Sequence, residues 1–199
     1  MSALTSPATT RNREPILAVL GPRLPASGLV LEIAAGAGEH AVFLAGALPG
    51  LIWQPTDPDA AARASISAWR EEARLPNLLA PLPLDAADPA GWPIRRADAM
   101  VCINMIHISP WAATEGLMAG AGDVLAPGGL LYLYGPYRED DVPTAPSNEA
   151  FDQSLKSRDP RWGLRRLADV AALAETHGLT LAERIEMPAN NLSLLFRKG

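Results

Sequence analysis

One cysteine in 199 residues, Cys102, excludes a disulfide within the chain. It lies in an apolar run and reads as a small buried side chain, which suits a reducing, cytoplasmic setting. Basic runs are also missing. With a formal charge of −5, and Arg161, Arg165 and Arg166 as the densest basic group, a nucleic-acid backbone is not expected as the partner. No stretch has the length and apolarity of a membrane-spanning helix, and residues 1–10 lack an apolar signal core, so no membrane partner is expected either. The three histidines, His40, His107 and His177, fall on separate segments without ligand spacing, and no metal site is expected.

What is present suffices for one domain with a sizeable core: 48% of residues are hydrophobic and 20% charged. Residues 1–10 read as disordered and 11–199 as a single domain with a polar insertion near 135–161. Its organising stretch is Val30-Leu31-Glu32-Ile33-Ala34-Ala35-Gly36-Ala37-Gly38-Glu39-His40-Ala41, a buried strand running into a glycine turn and then a helix. Such a turn lets backbone approach a ligand closely, and the helix start offers unpaired N–H groups.

Two ligand classes use this geometry, and Glu32 helps to choose between them. A dinucleotide would set a pyrophosphate at the helix start, where a carboxylate opposes it. S-adenosylmethionine brings an ammonium and a sulfonium instead, and a carboxylate attracts both. A charge inside an apolar strand calls for a partner, because leaving it unpaired costs several kcal/mol, on the order of the desolvation penalty. The competing explanation is that backbone N–H groups of the turn satisfy Glu32.

Upstream, Pro15 is placed in the first turn of a helix carrying Ile16, Leu17, Val19 and Leu20. Downstream, 51–55 reads as a second strand, and Asp57, about 20 residues beyond the glycines, stands where a carboxylate holds a ribose diol; capping the next helix is its other reading, a task open to Asp59 as well. A third, proline-spaced strand at 78–84 ends at Asp85, which either accepts from an adenine amine or caps the turn after it. The fourth strand, 98–105, is a near-continuous apolar run of the kind covered on both faces.

Ligands in open α/β sheets sit beyond the carboxyl ends of the strands. Asn104, Met105, His107 and Trp111 are therefore candidates to face the ligands, with His107 as a base of ordinary pKa near 6.5. The long segment 135–161 reads as a lid or substrate loop, and Tyr134, Tyr137, Asn148, Phe151 and Trp162 suit a small polar substrate. The chain closes with a helix and two strands joined by Met187-Pro188-Ala189-Asn190-Asn191, a hairpin that sets one strand against an otherwise parallel sheet.

These features together resemble the class I S-adenosylmethionine-dependent methyltransferases. Glu32-x-x-x-Gly36-x-Gly38 matches the first motif, Asp57 the ribose acid, Asp85 the adenine contact and Pro127-Gly128-Gly129 the turn before the fifth strand. Arg11-Asn12-x-x-Pro15-Ile16, Trp53-Gln54-Pro55, the run from Asn104 to Trp111, Tyr134-Gly135-Pro136, Ser147-Asn148-x-x-Phe151-Asp152 and the turn at 187–191 are similar to the methyltransferase-like 26 family. The resemblance implies a Rossmann-like α/β fold with helices on both faces of a seven-stranded, mostly parallel sheet of order 3-2-1-4-5-7-6 with one antiparallel strand. It implies S-adenosylmethionine as cofactor and S-adenosylhomocysteine as product.

Ala35 and Ala37 stand where methyltransferases often have Gly, Ser or Thr, and the Asn-Pro-Pro-aromatic or Asp-Pro-Pro-aromatic form used on planar nitrogens is missing. The expected reaction is in-line methyl transfer to oxygen, sulfur or nitrogen of a small molecule. Arg11, Asn12, Glu32, Gly36, Gly38, Asp57, Asp85 and Asn104 are expected at the cofactor. Met105, His107, Trp111, Tyr134, Tyr137, Asn148, Asn190 and Asn191 are expected at the substrate. A non-catalytic S-adenosylmethionine-binding scaffold or sensor is the alternative. A nicotinamide-dependent oxidoreductase is disfavoured by Glu32 and by the terminal hairpin.

Overall fold

The structure, a computed structural model, describes residues 7–199. In chain order it runs α1 (Pro7–Leu20), β1 (Gly28–Ile33), α2 (Glu39–Ala47), β2 (Leu51–Pro55), α3 (Ala60–Ala73), β3 (Ala97–Ile103), α4 (Trp111–Val124) and β4 (Leu125–Gly135). There follow β5 (Tyr137–Arg138), α5 (Pro146–Arg158), β6 (Arg165–Arg166), α6 (Leu167–Thr176), β7 (Leu179–Met187) and β8 (Asn191–Lys198).

Alternation along the central strands decides how the two faces of the main sheet are covered. Leu31 and Ile33 of β1, Met100 and Cys102 of β3, and Leu131 and Leu133 of β4 join one core, closed by Leu117 and Met118 of α4 and Val170 and Ala174 of α6. Val30, Val101, Leu130 and Tyr132 project the other way, onto Ile16 and Leu20 of α1 and Leu44 of α2. Each fully buried Leu, Ile or Val contributes about 1.5–3 kcal/mol, so both layers are needed to hold the strands in register. Cys102 is buried and free, as its apolar run predicts.

The main sheet has six strands in the order β2-β1-β3-β4-β8-β7, and β8 runs antiparallel to both of its neighbours. The α/β class and the terminal hairpin agree with the expectation; the count of seven does not, and the expected order 3-2-1-4-5-7-6 loses its first member because 78–84 is not a strand of the sheet. The segment 78–84 makes only two isolated parallel bridges to the β2 region, Trp53 with Leu78 and Thr56 with Leu82. Pro81 and Pro83 have no N–H to give, so a continuous ladder cannot form there.

The N-terminal reading also changes. Residues 7–10, expected to be disordered, form the start of α1, and Pro15 lies inside that helix rather than in its first turn. Residues 1–6 lie outside the described residues. Within 135–161 the chain forms β5 and α5, so much of the expected insertion is ordered structure. No helix among the described residues is long and apolar enough to cross a membrane.

Candidate functional site

The turn after β1 holds three left-handed residues, Ala34 (φ 54°), Gly36 (φ 57°) and Gly38 (φ 93°). The two glycines serve different ends. A Cβ on Gly36 would meet nothing within 4 Å, so its bare backbone faces open space. A Cβ on Gly38 would lie 2.9 Å from Ile66 Cγ1 and 3.0 Å from Ile66 Cα, so that glycine lets α3 pack against the start of α2.

Asp57 braces the turn from the end of β2. Its Oδ2 accepts the Gly36 N–H and its Oδ1 the Asp59 N–H, each at 2.9 Å. Burial raises its pKa while these two backbone donors oppose the rise. The helix-capping task falls to Asp59, whose side chain accepts from Ala61 N–H at 2.9 Å. Asp57 thus shapes the backbone of the turn, with one lone pair on each oxygen still free.

Glu32 is 2% exposed, and its partner is an indole: Trp53 Nε1 donates to Oε2 at 2.7 Å. The turn's backbone N–H groups do not satisfy it. Burial pushes its pKa up to about 7, the Trp53 bond opposing and the Asp57 charge adding to the rise. Glu32 lines a cleft of about 180 Å³ together with Thr9, Asn12, Gly36, His40 and Asn104.

The α1 side of this cleft is tied down by Asn12. His40 Nε2 lies 2.9 Å from Asn12 Oδ1, and the Tyr134 hydroxyl hydrogen-bonds to the same Asn12 side chain. Burial, aided by the nearby Arg13 guanidinium, lowers the His40 pKa to about 4, so at neutral pH the ring is uncharged and Nε2–H donates to Asn12. Thr9 and His40 were not expected at the site. Thr9 belongs to the tract read as disordered; the available signal for His40 was its place in the first turn of α2, two residues after Gly38.

Asn104, at φ 63°, donates its N–H to the Tyr134 carbonyl at 2.8 Å and starts a tight turn at Met105–His107. That turn carries the following side chains inward, against expectation. Met105 is buried, its sulfur accepting from Ser109 Oγ at 3.2 Å, and Trp111 lies beneath the Arg165 guanidinium. His107 is fully buried, neither ring nitrogen has a hydrogen-bond partner among the described residues, and burial and Arg165 push its pKa down to about 3. Sealed away and neutral, it is not the expected base of ordinary pKa.

Arg11 is exposed and does not line the cleft, and Asp85 caps its own turn by accepting the Ala87 N–H at 2.9 Å. Tyr134 reaches the cleft only through its bond to Asn12.

A second cavity, of about 230 Å³, opens on the same rim of the sheet between α5 and the β7–β8 turn. Tyr137, Asn148, Asn190 and Asn191 all line it, which brings together four of the residues expected at the substrate. Asn148 Nδ2 donates to the Asn190 carbonyl at 2.9 Å, joining α5 to a turn whose Ala189 and Asn190 are both left-handed. Sequence reasoning missed Glu139, Arg184 and Glu186, which also line this cavity. Arg184 and Glu186 lie on the edge strand β7, where charge is ordinary, and Glu139 directly follows β5. Gly135 separates the two spaces: it follows Tyr134, which pairs with the β3 end, and faces Leu192 of β8.

Comparison with known proteins follows the same lines. The profile of a family described as "Protein of unknown function (DUF938)" matches residues 3–198. An O-methyltransferase family protein from Burkholderia thailandensis superposes with a TM-score of 0.82 at 17% identity, over 96% of this chain and 57% of that one. The S-adenosylmethionine-dependent methyltransferase SibL gives 0.79 at 21% identity, over 96% and 55%. Human N-acetylserotonin methyltransferase, solved in complex with SAM, gives 0.78 at 14% identity, over 96% and 53%. The fold is therefore that of class I methyltransferases, and the chain spans about half the length of these solved proteins.

Proposed function

The chain belongs to the family described as protein of unknown function (DUF938), and from that premise we propose that it is an S-adenosylmethionine-dependent methyltransferase acting on a small molecule. The observation that carries the reading is the pairing of Gly36 with Glu32. Gly36 presents backbone to open space, and Glu32 presents to the same cleft a buried carboxylate whose hydrogen-bond partner among the described residues is a neutral indole. The donor set fits a cationic nucleoside and opposes a pyrophosphate.

S-adenosylmethionine, when bound, supplies a methyl group activated by the sulfonium. The chain's own residues do the rest. Glu32 draws positive charge to the end of β1, Asp57 holds the Gly36 N–H and keeps the turn open, and Asn12 fixes α1 over the cleft through His40 and Tyr134. Reaction then depends on holding the acceptor in line and excluding water, because orientation alone supplies a large part of the rate. The second cavity, one strand beyond Gly135 on the same rim, is the acceptor pocket in this reading. The motifs that resemble those of the methyltransferase-like 26 family support the same activity.

Calorimetric titration with S-adenosylmethionine and S-adenosylhomocysteine tests the cofactor. Saturable binding by the wild type, weakened in Asp57→Asn, is the expected result; Asn would set an amide N–H₂ against one of the two backbone N–H groups. No binding by folded, ligand-free protein overturns the reading. Binding without transfer to any acceptor in a metabolite extract supplied with labelled cofactor would favour the scaffold alternative.

A further inference from the structure

The second cavity has no cation to spare. Arg184, the sole cation among the described residues that line it, gives Nε and Nη2 to Glu139 at 2.9 and 2.7 Å and Nη1 to Glu186 at 3.0 Å. Arg138, beside Tyr137 on β5, is committed in the same way to Glu149 and Asp152. An anion entering the cavity would meet a guanidinium whose charge two carboxylates already match. Two carboxylates line the space against one guanidinium, and the Glu186 side chain, 82% exposed, has an oxygen left over.

The uncharged groups lean the same way. Asn148 spends its Nδ2 on the Asn190 carbonyl, Asn190 spends its own on Ser147 Oγ at 3.2 Å, and Asn191 uses its Nδ2 on the Pro188 carbonyl at 3.0 Å. Each amide oxygen remains to accept, whereas both N–H groups of Asn191 and one each of Asn148 and Asn190 are already engaged. Tyr137 also lines the cavity, with its hydroxyl buried away from solvent and without a partner among the described residues. Val142, Pro143, Met187 and Leu192 supply apolar sides for a carbon skeleton.

We infer that this cavity selects a small molecule bearing an amine, held as its ammonium among the Asn148, Asn190 and Asn191 oxygens and Glu186, over a carboxylate or phosphate of equal size. The inference rests on the reading of the cavity as the acceptor pocket. Adjacent strands lie about 4.8 Å apart, so β8 is roughly 10 Å from β3, and the ammonium anchors the acceptor while its other end extends over Gly135 toward the cleft. Discrimination comes from the repulsion of an anion by two carboxylates set against one guanidinium as much as from the attraction of a cation.

The test uses matched probes on ¹⁵N-labelled full-length protein: 2-phenylethylamine against 3-phenylpropanoate, and cyclohexylmethylamine against cyclohexylacetate. Both amines are expected to shift the side-chain amide resonances of Asn148, Asn190 and Asn191, with affinities at least about tenfold above their carboxylate counterparts. Glu186→Lys, at an exposed position that leaves Arg184 its two bonds to Glu139, is expected to weaken amine binding about tenfold or more. S-adenosylhomocysteine binding, read from the Gly36 and Gly38 backbone amides, should not change in that variant. Carboxylates that bind as well as amines, amines that leave the three asparagines unshifted, or an indifferent Glu186→Lys would each overturn the inference. A failure of S-adenosylhomocysteine to shift Gly36 and Gly38 would instead strike at the cofactor reading, whatever the amines do.

Discussion

The cleft over β1 and the cavity beside the β7–β8 turn share one rim of one sheet and handle charge in opposite ways. In the cleft, Glu32 is buried against a neutral indole, and its raised pKa measures what that burial costs. In the cavity, Arg184 is matched by carboxylates before any ligand arrives, and those hydrogen bonds to Glu139 and Glu186 raise its pKa further. The difference teaches a distinction between stored and settled charge. A charge left short of partners creates affinity for whatever completes it, whereas a paired charge mainly determines what is turned away.

The largest effect should come from Gly36→Val, which fills the open space at the turn. At φ 57° a branched residue is strained, costing about 1–2 kcal/mol of stability, but cofactor binding should fall by at least about a hundredfold. Amine binding in the cavity should persist. Gly38→Ala is the converse: its Cβ enters Ile66, so urea melts should show a loss of about 1–3 kcal/mol, with cofactor affinity unchanged in the folded fraction. Equal behaviour of the two variants in calorimetry and melts would erase the distinction between the glycines.

Glu32→Gln sharpens the comparison through pH. The folded chain holds the Glu32 proton up to about pH 7, whereas the ordinary value is 4.5, so the folded state binds more protons between these limits. Stability therefore falls as pH rises through that window, by up to about 3 kcal/mol at 1.36 kcal/mol per pKa unit. Gln keeps an oxygen for Trp53 and removes the charge. Urea melts at pH 5 and pH 8 should show the variant losing less stability over this interval than the wild type, and it should bind cofactor more weakly at pH 8. A wild type with the same pH slope as the variant would show that Glu32 is not the group storing charge.

The smallest effect is expected from Tyr137→Phe. Removing a buried hydroxyl with no partner should raise stability by about 1 kcal/mol, while amine binding in the cavity holds. Melting and the asparagine amide shifts read the two effects separately.

The cleft was legible because its parts are contiguous. A strand, a glycine turn and a helix start place Glu32, Gly36 and Gly38 within seven residues, and the approach of β2 was readable from strand order. The run after β3 was harder. Proximity to a strand end pointed to Asn104, Met105, His107 and Trp111 alike, but the tight turn at Met105–His107 leaves Asn104 on the cleft and rotates Met105 and His107 into the core. Arg11 shows the same limit on α1, where Asn12 is buried and its neighbour faces water.

By itself the sequence determined the α/β class, the antiparallel last strand and the ligand turn, because periodicity, prolines and glycines act on their immediate neighbours. It also contained the reason why 78–84 never becomes a full strand, since Pro81 and Pro83 cannot donate to a ladder. Only the tertiary structure decided that Trp53 answers Glu32, that Asn12 meets His40 and Tyr134, and that β7 and α5 close a cavity whose cation is already paired. Those outcomes depend on side chains from separate segments being brought within hydrogen-bonding distance, and burial sets the strength of each pairing only once the sheet is assembled.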